Sequence, residues 1–364
     1  MNSDWGGMAD YGLHQALALR DQSVEVLFLC SPEYIHREKL AGIRVVPTLH
    51  AQKSGQFGLV RKLLGDIKVL CTVAQNEKPS AILFCSYYEY LAPLWAWKLR
   101  RLKKQLHLKI ASVIHDPIRD YRVGPAWWHE WSIREGYSFL DVAFLHEDEK
   151  IPFQKEKISI IPHGLYSIQK SQYNRADLRN KFNIPEDAFV ILSFGFIRDG
   201  KNLDLLIKSL KKIPDAYLII AGREQSRTQK PISFYQELSR SESVFERCLW
   251  HNRFIAEEEI GDFFEVSDIV ALTYSGDFRS ASGVLNSTIY LQRPLIASGG
   301  ASNLQNVVKK YSLGVWVQPD SPDAIIQGIN QFRKSVVIPD YDRYSQENSW
   351  KKNAEIVLRI VEKP

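Results

Sequence analysis

Residues 191–202 read ILSFGFIRDGKN, and the reading of that stretch decides the fold. The apolar run 189–194 has the length of a buried strand, and Gly195 ends it. A short basic turn carries Arg198 and Lys201. From Asn202 onward, Leu203, Leu206, Ile207 and Leu210 recur close to a 3.6-residue period. Strand, tight turn and helix make one unit of a parallel sheet. The start of such a helix presents free N–H groups and the positive end of its dipole, so it favours an anion, and two cations add full charges. From these residues alone, a solvated turn with two surface cations explains the stretch equally well.

The same alternation runs outward in both directions. Downstream, strands are expected at 216–221, 249–255, 269–273, 294–297 and 314–317. Helices are expected at 202–209, 233–240, 256–266, 282–291, 303–310 and 321–332, with a short last helix at 355–361. Upstream, apolar runs at 24–29, 43–49, 81–85, 108–114, 141–145 and 158–161 read as strands, with helical patterns at 11–19 and 60–75. Short apolar strands separated by helices imply βαβ units and mostly parallel sheets. The polar segment 167–180 separates the halves. The expected organisation is a domain over 1–168, a second over 169–346, and a C-terminal helix within 347–364 that packs back on the first. The fold class is α/β, two doubly wound Rossmann-like domains facing across a cleft. A loop with Gly6 and Gly7 stands where the first strand of such a domain is usually past, so either the start is assigned late or the sheet lacks its usual first strand. Ligands of open parallel sheets sit beyond the carboxyl ends of the strands, so the loops after strands should line the site.

A chain of 364 residues suits two domains. The net charge of +5 fits anionic ligands or an anionic surface and is too weak to argue for nucleic acid. Cys30, Cys71, Cys85 and Cys248 are scattered without metal spacing and read as thiols in a reducing compartment. No stretch has transmembrane length and no signal peptide is visible. A cytoplasmic protein is expected, able to sit peripherally at the inner face of a membrane.

The ordered motifs resemble the GT-B glycosyltransferases of retaining family 4, also called group 1. They are GGMADY before a helix, His115-Asp116 after a strand, His163-Gly164, FGFIRDGKN, AGRE, and DIVALTYSGDFRSASGVLNSTIYLQRPLIAS. The resemblance covers most of the chain. It implies that Arg198 and Lys201 bind the donor diphosphate and stabilise it as it leaves. It implies that the helix start at Ser282, Gly283, Val284 and Leu285 meets the diphosphate through backbone amides. Gly6 and Gly7 would pass close to donor sugar and phosphate, and His115 would lie by the sugar, with Asp116 beside it. Glu224 and Ile255 would hold the nucleoside. The family's two glutamates, eight positions apart, fall here on Arg279 and Ser287, a variant that withholds any transfer of sugar specificity. Arg279 is expected either to face donor phosphate or an acidic sugar, or to pair with Asp277.

The activity implied is transfer of a sugar from a nucleotide-sugar to a carbohydrate or lipid-linked acceptor with retention, in surface polysaccharide or glycoconjugate synthesis. No cofactor and no metal are expected, since cations already serve the diphosphate. Rival readings are a non-catalytic sugar-nucleotide binder, another GT-B enzyme such as an epimerase or phosphorylase, and a nucleic-acid binder. His115-Asp116-Pro117 also reads as a turn, His163 as a hinge residue, and His251 as structural. Segment 91–109, with Trp95, Trp97 and six cations, reads either as a helix lying on an anionic membrane or as a core helix with a solvated basic end. Trp127, Trp128 and Trp131 suit either a core or a platform for an acceptor sugar.

Overall fold

The computed structural model describes residues 4, 6–49, 55–115, 122, 124–146, 148, 151, 153–225, 229–279 and 282–362, without the side chains of 55–57. Asp116, Ser280 and Ala281 lie outside the described residues. Two compact units emerge, one of residues 1–164 with 347–364 and one of 165–346.

The first unit runs α1 Gly7–Arg20, β1 Leu27–Cys30, β2 Arg44–Pro47, α2 Gly55–Glu77, β3 Ala81–Phe84, α3 Ala96–Leu106, β4 Lys109–Val113, α4 Ala126–Tyr137, β5 Val142–Leu145 and β6 Ile158–Ile160. Strands β3-β4-β5-β6 form one parallel sheet, and β1 and β2 pair in parallel as another. The segment 91–109 is not one helix. A 3-10 turn, Glu89–Leu94, holds Pro93, whose ring removes an amide donor, and α3 starts only after Trp95. Trp95 is wholly buried against Tyr87 and Phe139. His107 turns left-handed at φ 52° and ends α3.

The second unit runs α5 Arg175–Lys181, β7 Phe189–Phe194, α6 Leu203–Leu210, β8 Ala216–Ala221, α7 Ile232–Ser241, β9 Cys248–His251, α8 Glu257–Val266, β10 Ile269–Thr273, α9 Gly283–Tyr290, β11 Leu295–Ser298, α10 Leu304–Lys310, β12 Gly314–Trp316, α11 Pro322–Lys334 and α12 Tyr341–Glu347. Helix α5 falls inside the segment read as a polar separator. Asn174 caps it by accepting from the Asp177 N–H at 2.9 Å. The expected strand 249–255 stops at His251, where the Arg253 N–H turns back to the His251 carbonyl at 2.9 Å.

The six strands lie in the order β12-β11-β10-β7-β8-β9, all parallel. From β7 the chain steps outward through β8 to β9, then returns to build β10, β11 and β12 on the other side. The order reverses between β7 and β10, and in open α/β sheets the ligand crevice lies outside the strand ends at such a reversal. Strand β7 is buried on both faces: Val190 and Leu192 join one apolar cluster, Phe189 and Ile191 the other. Two-sided burial explains why its sequence is a continuous apolar run.

Helix α13, Trp350–Val361, belongs to the first unit and packs on α1. Its Asn353 is fully buried and donates to Tyr11 Oη at 3.0 Å and the Pro162 carbonyl at 2.8 Å, while accepting from Gln15 at 3.0 Å. A buried amide with its bonds made contributes specificity to this docking; leaving it unpaired would cost about 1–3 kcal/mol.

Candidate functional site

The turns after β7 and β10 meet at the reversal point. Gly195 has φ +84°, and a Cβ there would lie 3.3 Å from Lys201 Nζ and 3.4 Å from Val284 Cγ2. Only glycine lets the turn bring the Lys201 ammonium beside the first turn of α9. Lys201 Nζ donates to the Phe194 carbonyl oxygen at the end of β7. Arg198 lies over Tyr274 and Phe278, its guanidinium carbon 5.9 and 5.7 Å from their centroids. Those rings stack at 3.9 Å and 13°, and the Tyr274 hydroxyl shares a 2.7 Å hydrogen bond with Ser282. The structure therefore brings together Arg198, Lys201, Ser282, Gly283 and Val284.

Among the described residues neither Arg198 nor Lys201 makes an ion pair. The intervening carboxylate, Asp199, is turned away, accepting from the Lys230 N–H at 3.1 Å and Tyr235 Oη at 3.2 Å. Burial of the Lys201 ammonium, with the Arg198 charge beside it, pushes its pKa down to about 7. A bound anion would reverse the second effect.

Other sequence expectations meet different surroundings. Ser282 caps α9, its Oγ accepting from the Leu285 N–H at 3.2 Å. The Leu285 amide is thus already bonded and its side chain is in the core, so among the described residues the unbonded amides of the first turn are those of Gly283 and Val284. A Cβ on Gly283 would meet nothing within 4 Å, so space is open there. Ser287 is half-buried one turn further along α9. Ile255 is buried in the core, which leaves only its backbone for a ligand. Glu224 is exposed, and its Oε1 accepts from the Ile232 N–H at 2.5 Å, at the start of α7. Arg279 is exposed and, among the described residues, forms no ion pair with Asp277. Sequence reasoning missed Asp320, which follows β12 and bonds both turns. Its signal, a Pro-Asp-Ser run before a helix, reads as an ordinary cap.

In the first unit, His115 and His163 converge with two residues that sequence reasoning passed over, His146 and Trp350. Ring centroids are 5.3 Å apart for His115 and His146 and 5.1 Å for His146 and His163. Tyr11 stands edge-on to all three, at 4.5, 5.4 and 5.3 Å from His115, His146 and His163. Trp350 of α13 closes one side, 5.6 Å from His163 and stacked on His14 at 5.4 Å. It presses on Gly164, where a Cβ would lie 2.4 Å from the indole.

Each imidazole is held by a backbone carbonyl: His115 Nε2 by Cys85 at 3.0 Å, His146 Nδ1 by Ile161 at 3.1 Å, His163 Nδ1 by Gly164 at 2.8 Å. A carbonyl only accepts, so those nitrogens carry the hydrogens. Burial, reinforced by His163, pushes His115 down to about 4 and His146 to about 3, and burial lowers His163 as well. All three are neutral at pH 7. No set of three His, Cys, Asp or Glu among the described residues is arranged to hold a metal ion. Gly6 precedes α1 with φ +75°, and added Cβ atoms at Gly6 or Gly7 would meet nothing within 4 Å.

Comparison with known proteins adds three findings. The model of the family described as glycosyl transferases group 1 matches residues 174–356, just over half the chain. An uncharacterized glycosyltransferase of Methanocaldococcus jannaschii is 23% identical over 225 residues, covering 57% of this chain and 55% of that protein. The match thus spans about half the length of this curated relative. Among solved structures, a glycosyltransferase from Rickettsia africae has a TM-score of 0.72 at 15% identity, covering 99% of this chain and 96% of its own. Anabaena HepE, solved with UDP and glucose, has a TM-score of 0.71 at 14% identity, covering 100% and 98%. At these identities the likeness is one of fold, the GT-B pairing of two Rossmann-like domains.

Proposed function

The chain belongs to the group 1 glycosyl transferases, and on that premise we propose that it moves a sugar from a nucleoside-diphosphate donor to a carbohydrate or lipid-linked acceptor, with retention at the anomeric carbon. The observation that carries this reading is the pair Arg198 and Lys201, two cations without carboxylate partners beside the first turn of α9. As the bond from the anomeric carbon to the phosphate oxygen breaks, negative charge grows on the diphosphate. Arg198, Lys201 and the amides of Gly283 and Val284 stabilise that charge where it develops. The acceptor hydroxyl adds to the same face of the sugar, and the departing phosphate oxygen takes its proton. The two cations do the work a divalent metal would do. HepE was solved with UDP and glucose, so UDP is the first diphosphate to test. Assembly of a surface polysaccharide or glycoconjugate at the cytoplasmic side of a membrane is the proposed setting.

Contact with anionic lipid, read in the sequence over 91–109, narrows to one face of α3. Arg100 pairs with Glu135 at 2.6 Å and Lys103 with Asp141 at 2.8 Å, so neither is left for lipid. Trp97, Arg101 and Lys104 are exposed at spacings of four and three residues, one helix stripe, with Lys98 over the Trp97 ring.

The test is a thermal-shift panel of nucleoside diphosphates followed by turnover of the matching nucleotide-sugars with polysaccharide and lipid-linked acceptors. A diphosphate that stabilises the fold, with a donor that is consumed, supports the enzyme. Binding without turnover favours a non-catalytic sugar-nucleotide binder, and no binding rejects the site.

A further inference from the structure

We infer that Asp320 is a positioning residue for the diphosphate site, its two carboxylate oxygens tying together the loops that carry Arg198, Lys201 and the approach to α9. This rests on the site proposed above and adds to it the residue that sets its shape. Asp320 Oδ1 accepts from Asn202 Nδ2 at 2.9 Å, and Oδ2 accepts from the Gly276 N–H at 2.8 Å. Asn202 directly follows Lys201, and Gly276 lies between Tyr274 and Phe278, the rings beneath Arg198. Each oxygen thus holds one wall of the site.

The loops are also stitched directly. Ser275 N–H donates to the Gly200 carbonyl at 3.0 Å, and Thr273 Oγ1 to the Lys201 carbonyl at 3.2 Å. Those bonds join neighbours, whereas Asp320 reaches both loops from a third, after β12. Asn202 and Asp320 both sit in left-handed backbone, at φ 54° and 58°, a conformation that Asn and Asp tolerate better than other residues with a Cβ. Packing at the contact is close: a Cβ on Gly276 would stand 3.1 Å from Asp320 Oδ2.

Helix capping does not account for the residue. Helix α11 is capped by Ser321, whose Oγ accepts from the Ala324 N–H at 3.2 Å. Charge alone predicts the opposite sign from a clamp. A bare carboxylate near an anion site repels the anion, so removing it would tighten binding. Removing a clamp loosens the walls and weakens binding. Asparagine can accept through one atom only, since its amide nitrogen donates, so it keeps at most one of the two bonds.

The experiment is calorimetric titration of the full-length protein with UDP and with inorganic pyrophosphate, for wild type, Asp320→Ala, Asp320→Asn and Ser321→Ala. The clamp predicts that Kd rises about tenfold in Asp320→Ala and less in Asp320→Asn. Ser321→Ala should lower the melting temperature with Kd unchanged, which separates local stability from positioning. Unchanged or tighter binding in folded Asp320→Ala and Asp320→Asn overturns the inference and leaves the diphosphate site standing. Failure of wild type to bind either ligand overturns both.

Discussion

The two units each gather basic side chains whose proton affinity burial has lowered, and the two gatherings mean different things. In the second unit Lys201 is pushed to about 7 with the Arg198 charge beside it, next to a helix start with open space. In the first, His115 and His146 are pushed to about 4 and 3 among other rings, each held by a backbone carbonyl and walled in by Trp350. The cations are in a place that an anion would stabilise. The imidazoles are in a place that keeps them neutral. A lowered pKa alone does not mark a ligand site; what lies beside the group decides.

The largest effect that would break this contrast is expected at Trp350. Trp350→Ala removes the wall of the imidazole cluster and should destabilise the first unit by about 3 kcal/mol, the low end for a Trp because the ring is only partly buried. Urea unfolding would show this, while diphosphate binding in the second unit stays within about twofold of wild type. Equal loss of binding would mean the two regions are not independent.

Next come the cations. Arg198→Ala and Lys201→Ala should each weaken diphosphate binding by about 1.5–3 kcal/mol, read by calorimetry on folded protein. Affinity equal to wild type in both would remove the site.

Acidification acts on the histidines. Their folded pKa values lie below the unfolded value near 6.5, so the fold favours the neutral form. Their contribution is therefore constant above about pH 6.5 and is lost as pH falls from there toward 4. For His115 and His146 the loss is up to about 1.4 kcal/mol each for the first full unit of fall. Replacing His146 with Phe should flatten the dependence of stability on pH between 6.5 and 5. An unchanged slope would show that its burial is not what the pH profile reports.

The smallest expected effect is at Glu224. As a partner of the α7 start, Glu224→Ala should cost about 1 kcal/mol of stability and leave diphosphate affinity alone. A tenfold loss of nucleoside-diphosphate affinity would return Glu224 to the nucleoside role that family resemblance implies.

Much of the fold was legible because two-sided burial writes itself into short apolar runs. The predicted spans 189–194, 216–221 and 269–273 coincide with β7, β8 and β10. The placing of Arg198 and Lys201 in the turn between β7 and α6 was legible because strand, glycine, cations and helix are contiguous. What could not be read depends on partners distant in sequence. Segment 91–109 reads either as a membrane-lying or as a core helix, and only Tyr87 and Phe139, from outside it, place Trp95 in the core. Arg100 and Lys103 looked free for lipid until Glu135 and Asp141 came opposite. The sequence pointed to a C-terminal helix packing back on the first domain, but no local pattern around His146 or Trp350 announces that this sets the indole against the imidazoles.

The most direct test of the account is the proton balance of diphosphate binding. Calorimetry of the best-binding nucleoside diphosphate at pH 8, in buffers of different ionisation enthalpy, counts protons taken up. Lys201, with its pKa near 7 in the free protein, is mostly neutral at that pH and must charge against the diphosphate. The account predicts net proton uptake, at most about one per site, in wild type and none in Lys201→Arg, whose guanidinium is already charged. Tight binding with no proton uptake by wild type would contradict it.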